Sequence, residues 1–158
     1  MIAAQDRDRL FYKPPEQRVR GDLAFVFPGA GNCFLEMGRE LALRWPKVLR
    51  EQDRENENLK SQMFVERFWN AAPDNGLGTD HRAVICGQVA LGTMVSDLAL
   101  HFGLRPTAVV GYSLGESTGL FALRAWTDRD EMLRRVSSST LFTKDLTGTS
   151  EALRRAWG

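Results

Sequence analysis

The sequence contains few cysteines and histidines, the residues that stabilise small folds through disulfides or bound metals. It has two of each in 158 residues. Cys33 and Cys86 cannot form a disulfide framework or a zinc site on their own. A reducing, cytoplasmic setting is therefore expected. The chain also shows no internal repeat and no low-complexity tract.

Charge of one sign and long apolar runs are missing as well. The formal net charge is +1, and no basic face stands out, which argues against nucleic-acid binding, because phosphate neutralisation needs clustered Lys and Arg. No apolar run approaches the roughly 20 residues of a membrane span, and the charged start carries no signal segment. With 43% apolar and 26% charged residues, the composition is that of a globular domain.

The chain divides into three parts by composition. Residues 1–20 are polar and contain Pro14 and Pro15, which predicts a linker or lead-in. Residues 21–145 alternate strand-like and helix-like segments and form the main α/β unit. Residues 146–158 are predicted to be a connecting segment, with a turn near Gly148 and a short helix.

The predicted elements of the main unit follow hydrophobic periodicity and the positions of Gly and Pro. Two short apolar runs predict strands, at 22–28 and 107–110, and the second is predicted to be buried. Helices are predicted at 35–45, 46–60, 80–102 and 113–123, and the one at 46–60 is expected to be a charged, solvated surface helix. A further helix is predicted to begin at a cap, Thr127 or Asp128, and to end at 142. A loop is predicted at 71–78.

The motif that carries chemistry is G-x-S-x-G, from Gly111 to Gly115, between a predicted strand and a predicted helix. A serine on such a tight turn projects its hydroxyl from the sheet edge, and the two glycines avoid collisions in the crowded backbone. The N-terminus of the following helix favours a nucleophilic Ser113 and a negative tetrahedral intermediate. The backbone N–H of Leu114 is the expected oxyanion donor. The alternative is an ordinary serine in a glycine-rich turn.

A base for this serine is harder to find, because both histidines precede it and none of residues 114–158 is histidine. In the α/β-hydrolase order the histidine follows the serine. His81 stands at the beginning of the long predicted helix, where a surface or capping role is the simpler interpretation. His101 stands near the end of that helix, where a structural pairing with the helix dipole is favoured. Either could act as a base only if the fold brings it to Ser113.

Two blocks give the chain a recognisable resemblance. Phe25–Gly31, FVFPGAG, is followed by Met37 and Gly38, and Gly111–Glu116 reads GYSLGE. With Pro106 seven residues before the serine, they resemble the FxFPGQG…MG and GHSxGE blocks of acyltransferases that load acyl groups onto carrier proteins. This family comprises malonyl-CoA:carrier-protein transacylases and the acyltransferase domains of polyketide and fatty acid synthases. The blocks are most similar to those of polyunsaturated-fatty-acid or iterative polyketide synthases.

The resemblance implies a role for particular residues. Ser113 would be the acylated nucleophile, and the backbone N–H groups of Ala30 and Leu114 would form the oxyanion hole, with Ala30 standing where the family usually has Gln. The glycines and the acid of the two blocks would support this site: Gly29, Gly31, Gly111, Gly115 and Glu116. The acyl pocket would include Tyr112, where His is usual, Ser138, and either Gln88 or His81 in the place of the family's pocket glutamine.

Two departures from the family pattern bear on the activity. The family's arginine, which pairs with the carboxylate of malonyl groups, falls by ungapped counting on Ser138. Arg134 and Arg135 are one turn away, about 5 Å along a helix. A monocarboxylic acyl group, or a lost malonyl preference, is therefore expected. In the family, the histidine that acts with the serine lies after a ferredoxin-like subdomain. The resemblance implies that this sequence ends before that subdomain begins.

The resulting hypothesis is the N-terminal part of an acyltransferase domain, a serine-hydrolase-like parallel sheet with flanking helices, lacking the ferredoxin-like subdomain and C-terminal part. Such a domain would transfer an acyl group from acyl-CoA to the phosphopantetheine thiol of an acyl carrier protein, with acyl-Ser113 as the intermediate. Other synthase domains are expected as partners. No metal or redox cofactor is needed, and no nucleic acid or membrane is an expected partner. The alternatives are a serine esterase or thioesterase and a catalytically incomplete, non-catalytic module.

Overall fold

The computed structural model describes residues 12–18, 20–70, 79–145 and 150–157, and the predicted loop at 71–78 and turn near Gly148 lie outside them. The described part is mixed α/β, mostly helical. Its strands and helices are β1 Ala24–Phe27, α1 Arg39–Arg44, α2 Pro46–Glu55, α3 Leu59–Met63, α4 Val65–Phe68, α5 Gln88–His101, β2 Ala108–Gly111, α6 Leu114–Ala122, α7 Arg129–Ser138 and α8 Glu151–Trp157. Shorter turns complete it: 3₁₀ turns at Pro15–Gln17 and Ala30–Asn32, and π turns at Ala83–Gly87 and Leu141–Asp145.

Both apolar runs contain strands, as predicted, and the two strands pair in parallel. The prediction of a buried strand at 107–110 is wrong, because Ala108 and Val110 of β2 are exposed. Ala24 lies opposite Ala108, and Phe27 lies opposite Gly111. A parallel pair needs a long crossover, which α1–α5 provide. The carboxyl ends of both strands therefore meet at one edge, where the FPGAG and GYSLGE segments begin.

Helices cover one face of this sheet in the described part of the chain. α6 lies on that face so closely that a Cβ on Gly119 would be 2.6 Å from a methyl carbon of Val109. The opposite face carries small and branched apolar side chains, and there Val26 is 72% exposed and Val110 55% exposed. The expectation of flanking helices is thus met on one side of the described strands.

The hydrophobic core lies between α5 and the helices α1–α4. Phe68 and Ala90 are fully buried in it, and Trp45, Leu49 and other half-buried side chains pack around it. Small residues on the long helix allow close packing, since a Cβ on Gly87 would overlap the ring of Phe68. The buried cluster comprises Ala42, Val48, Leu59, Met63, Phe68, Ala83, Ala90, Leu91, Met94 and Leu98.

The segment Ala83–His101 corrects the expectation that no apolar stretch reaches the length of a membrane span. Its 19 residues are long and apolar enough by length and composition, but 61% of the stretch is buried inside the protein. A helix that packs its apolar surface against the rest of the chain is what a hydrophobic core requires. We therefore interpret it as the central core helix.

Three predicted helices are shorter than the sequence indicated. The helix expected at 35–45 begins only at Arg39, because Glu36 and Gly38 have positive φ values. The one expected at 46–60 breaks after Glu55, where Asp130 accepts hydrogen bonds from the N–H groups of Glu57 and Asn58. The third ends at Ser138 instead of 142; its cap is Asp128, whose side chain accepts from the Glu131 N–H at 2.7 Å.

A buried polar cluster fixes the position of α7. The guanidinium of Arg129, 5% exposed, donates to the side-chain oxygens of Gln52 and Asn56 on or beside α2. Burial, followed by the neighbouring charge of Arg124, lowers the pKa of Arg129 to about 10, so it stays protonated at neutral pH. The prediction of a fully solvated second helix is therefore wrong at Gln52, which is completely buried.

Candidate active site

Ser113 stands on a strained turn between β2 and α6. Its φ is 54° and its ψ is −117°, values that a residue with a side chain adopts at an energetic cost. The turn is held by backbone hydrogen bonds from Gly115 N to Tyr112 O at 2.9 Å and from Glu116 N to Ser113 O at 3.0 Å. The hydroxyl is therefore presented at the N-terminus of α6, as the strand, G-x-S-x-G and helix order predicts.

Close backbone contacts explain the two outer glycines of the motif. A Cβ on Gly111 would lie 2.4 Å from the backbone of Glu116, and one on Gly115 would lie 2.1 Å from the carbonyl oxygen of Phe27. The nitrogen of Tyr112 also donates to that Phe27 oxygen at 3.1 Å. The turn of the serine is thus packed directly on the end of β1.

An open cavity of about 500 Å³ lies in front of Ser113. Its walls come from the segment after β1, the start of the long helix, the start of α6 and one face of α7. The lining residues are Ala30, His81, Val84, Ile85, Ser113, Leu114, Ser117, Met132 and Val136. The wall is mostly apolar, and the hydroxyls and the imidazole are its main polar side-chain groups.

Both expected oxyanion donors belong to this cavity. Ala30 and Leu114 line it together with Ser113. Each is the first residue of a helical turn, so its N–H has no intrahelical partner. Within the described ranges no hydrogen bond from either N–H is found. Two residues whose N–H groups have no partner in the described ranges therefore line the same cavity as Ser113.

The structure separates the two histidines. His81 lines the cavity with Ser113, whereas His101 is the last residue of α5 and is exposed, with its ring against Phe102. Twenty residues of helix separate them, which corresponds to about 25–30 Å. Of the two, His81 is therefore the one that the fold brings to the serine.

Gln88 lies behind the FPGAG segment and is not part of the cavity wall. Its side-chain nitrogen donates to the carbonyl oxygen of Gly29 at 2.7 Å and, more weakly, to that of Pro28 at 3.4 Å. Of the two residues considered for the family's glutamine position, His81 is the one in the cavity wall. Gln88 instead contacts the backbone that carries Ala30.

Tyr112 and Ser138 also lie outside the wall. Tyr112 is 77% exposed, and its ring covers Gly29, where a Cβ would be 3.0 Å from the ring. Ser138 ends α7 and its hydroxyl donates to the carbonyl oxygen of Arg135 at 3.2 Å. Gly31, by contrast, has open space around its Cα, and Glu116 is exposed.

The two arginines near the expected carboxylate-binding position are engaged elsewhere. Arg134 and Arg135 form ion pairs with Glu131 at 2.5 and 2.6 Å. Hydrogen bonds from Arg135 and then Arg134 hold the pKa of Glu131 below its usual value. The face of α7 that meets the cavity carries Met132 and Val136 instead.

The sequence reasoning missed four wall residues and one hydroxyl: Val84, Ile85, Met132, Val136 and Ser117. The signal for two of them was present, because Met132 and Val136 are four positions apart on one helix face. Ser117 stands one turn after Ser113 in the same way. Within the described ranges, no group of three or more His, Cys, Asp or Glu residues could hold a metal ion.

Comparison with known proteins gives relatives in polyketide and acyl-transfer biochemistry. The chain is 29% identical over 120 residues to a highly reducing polyketide synthase of Glarea lozoyensis, covering 70% of this chain and 5% of the synthase. It is 31% identical over 111 residues to the norsolorinic acid synthase of Dothistroma septosporum, covering 66% of this chain and 4% of that protein.

A bacterial relative is much shorter. The malonyl CoA-acyl carrier protein transacylase of Bacillus subtilis is 29% identical over 108 residues, which cover 68% of this chain and 33% of the transacylase. The chain thus spans a third or less of these relatives. No family model matches the chain, and no solved structure does. Large synthases and a separate transacylase each align with about two thirds of this sequence. These relatives support the resemblance of the chain to the acyltransferases of polyketide synthases and to malonyl CoA-acyl carrier protein transacylases.

Proposed function

We propose that this chain carries the nucleophile and the oxyanion hole of an acyltransferase. Ser113 would attack the carbonyl of an acyl-CoA thioester, the C–S bond would break, and CoA would leave as the thiol with the serine proton. A phosphopantetheine thiol of an acyl carrier protein would then take the acyl group and return a proton to Ser113. The supporting observation is the positive φ of Ser113 at the start of α6, in a cavity shared with Ala30 and Leu114.

The electrostatics of the turn suit this chemistry. The first N–H groups of a helix are unpaired and carry partial positive charge, and Ser113 immediately precedes α6. Two N–H donors at one carbonyl oxygen stabilise the developing oxyanion, and removing one such donor typically costs about 100- to 1,000-fold in rate. The backbone therefore provides much of the catalysis without a particular side chain at position 30.

The cavity wall favours an uncharged acyl chain. Val84, Ile85, Met132 and Val136 supply apolar surface, and neither Arg134 nor Arg135 lines the cavity. Burying the free carboxylate of a malonyl group in such a wall without a paired cation would be costly. We therefore propose a monocarboxylic acyl group as the preferred substrate.

The proposed fold type is the parallel sheet of serine hydrolases, of which β1, β2 and α6 form the nucleophile edge. The proposed partners are acyl-CoA, an acyl carrier protein and other synthase domains, and the proposed setting is the cytoplasm. His81 is the candidate for assisting proton transfer from Ser113, because it shares the cavity.

The test is covalent acylation of the serine. The purified chain is incubated with acetyl-, hexanoyl- or malonyl-CoA and its intact mass is followed over time. We expect one acyl group per chain, released on addition of a carrier protein bearing phosphopantetheine. Peptide mapping should place the acyl group on Ser113.

A matched control comes from the second serine of the cavity. Ser113→Ala should abolish the adduct, whereas Ser117→Ala, on the same helix and in the same cavity, should still form it. Rapid release of free acid in water without carrier protein would favour a serine esterase or thioesterase. No adduct from any donor would overturn the proposal in favour of a non-catalytic module.

A further inference from the structure

Gln88 is the first residue of α5, and its side chain contacts the segment that follows β1. It is 6% exposed, and its Nε2 donates to the carbonyl oxygen of Gly29 at 2.7 Å. The two residues are 59 positions apart in sequence. The long core helix therefore holds one particular peptide group of the FPGAG segment.

That peptide group is the one that carries the Ala30 N–H. In a trans peptide the carbonyl of residue 29 and the N–H of residue 30 lie in one plane and point in opposite directions. The Gly29 oxygen is turned inward to Gln88, so the Ala30 N–H points away from α5, and Ala30 lines the cavity of Ser113. The direction of the Ala30 N–H thus follows from the hydrogen bond that Gln88 donates to the carbonyl oxygen of the same peptide group.

Neighbouring contacts reinforce this orientation. The Gly29 oxygen also accepts from the side-chain nitrogen of Asn32 at 3.1 Å, which occupies its second lone pair. The ring of Tyr112 covers the Cα of Gly29, at a distance where a Cβ would be crowded. Rotation of the peptide would break both hydrogen bonds and meet that ring.

The side-chain oxygen Oε1 of Gln88 is buried and has no hydrogen-bond partner among the described residues. Leaving a buried acceptor unpaired costs free energy. A methionine of similar size would fill the same space without this cost.

We infer that Gln88 is a positioning residue for the oxyanion hole: it locks the Gly29–Ala30 peptide so that the Ala30 N–H faces the acyl carbonyl on Ser113. This inference rests on the proposed function. Gln88 acts through the peptide and does not touch the substrate. Its effect should therefore fall on the rate of acylation and leave acyl-CoA binding unchanged.

The first experiment compares Gln88→Met with the wild-type chain. We expect the rate constant for Ser113 acylation to fall at least about tenfold, short of the full loss of an oxyanion donor. The Kd for acyl-CoA, measured in the Ser113→Ala background, should stay within about twofold.

Gln62 provides a matched control elsewhere in the fold. Gln62 lies in α3 and does not line the cavity of Ser113. It is also a buried glutamine whose Oε1 has no partner among the described residues, and its Nε2 donates to Asp130 at 2.9 Å. Gln62→Met should lower the unfolding free energy without slowing acylation. Equal slowing in both variants would overturn the inference, because it would show a general effect of destabilisation.

A second variant keeps the shape of Gln88 and does not depend on how well methionine packs. In Gln88→Glu a protonated carboxyl can donate to the Gly29 oxygen, whereas an ionised one repels it. Acylation by this variant should fall as pH rises through the pKa of the new carboxyl, unlike the wild type. A flat profile, or a wild-type rate in folded Gln88→Met, overturns the inference while the proposed function stands. Absence of any wild-type adduct overturns both.

Discussion

The carbonyl oxygen of Phe27 lies so close to Gly115 that a Cβ on the glycine would be 2.1 Å from it. This contact joins the end of β1 to the first turn of α6. Any side chain at position 115 must push α6 away from β1, and with it Ser113 and Leu114. The distance between these residues and the segment after β1 therefore depends on Gly115.

Gly115→Ala should therefore impair both stability and acylation. Overpacking of this kind typically costs about 1–3 kcal/mol, and here the clashing atoms are backbone. Urea unfolding followed by circular dichroism measures the first effect, and the intact-mass acylation assay measures the second. Gly21→Ala is the control, since no atom of the described residues lies within 4 Å of the added Cβ. Equal stability of the two variants would contradict the packing described for α6.

The two histidines should differ sharply in their effect on acylation. His81→Gln removes the imidazole that shares the cavity with Ser113, and loss of a general base typically costs about 100-fold or more. His101→Gln changes an exposed residue at the far end of α5 and should leave the rate unchanged. Single-turnover acylation of each variant by hexanoyl-CoA is the measurement. An unaffected His81→Gln variant would show that the base comes from elsewhere.

Acyl specificity should respond to the face of α7 that meets the cavity. Val136→Arg places a guanidinium in the apolar wall and should raise the rate with malonyl-CoA relative to hexanoyl-CoA by about tenfold, equivalent to about 1.4 kcal/mol. Ser138→Arg restores the arginine at the position indicated by ungapped counting, which the structure places outside the wall. If Ser138→Arg alone gained malonyl transfer, the cavity described for α7 would be wrong.

Cys86 should make stability depend on alkaline pH. Burial raises the pKa of its thiol to about 11, from a reference value of 9.0. The folded state thus favours the neutral thiol, and this contribution, about 2–3 kcal/mol for two pKa units, is complete below pH 9 and lost as pH rises towards 11. Urea unfolding at pH 8 and 10.5 should show a smaller loss for Cys86→Ala than for the wild type. In the folded wild type, half-buried Cys33 should react with a thiol reagent before Cys86.

Much of this architecture follows from local sequence signals. Residues that are close together in the sequence determine the two apolar runs, the G-x-S-x-G turn and the glycine-rich segment after β1. Both strands, α6 and the position of Ser113 could therefore be predicted. The cap at Asp128 was also predictable, because an acidic side chain at that position can accept from the first turn of α7.

The features that could not be predicted depend on contacts between distant residues. Gln52 in a charged segment looks like a surface residue until Arg129, 77 positions later, is known to pair with it. The contact between Gln88 and Gly29 and the proximity of His81 to Ser113 likewise need the three-dimensional packing of the long helix. Family-pattern counting predicts Ser138 in the acyl pocket, whereas the α7 residues that line the cavity of Ser113 are Met132 and Val136.

The pairing of Ala24 with Ala108 also has a consequence for synthesis on the ribosome. β1 emerges 84 residues before the strand it must pair with, a delay of roughly 4–17 s at typical elongation rates of about 5–20 residues per second. During that time the helices α1–α5 can pack against one another, but β1 cannot pair because β2 has not been synthesised. Ser113 has not been synthesised either. The turn that carries Ser113 is therefore completed late in translation, when α6 packs against helices that can already have formed.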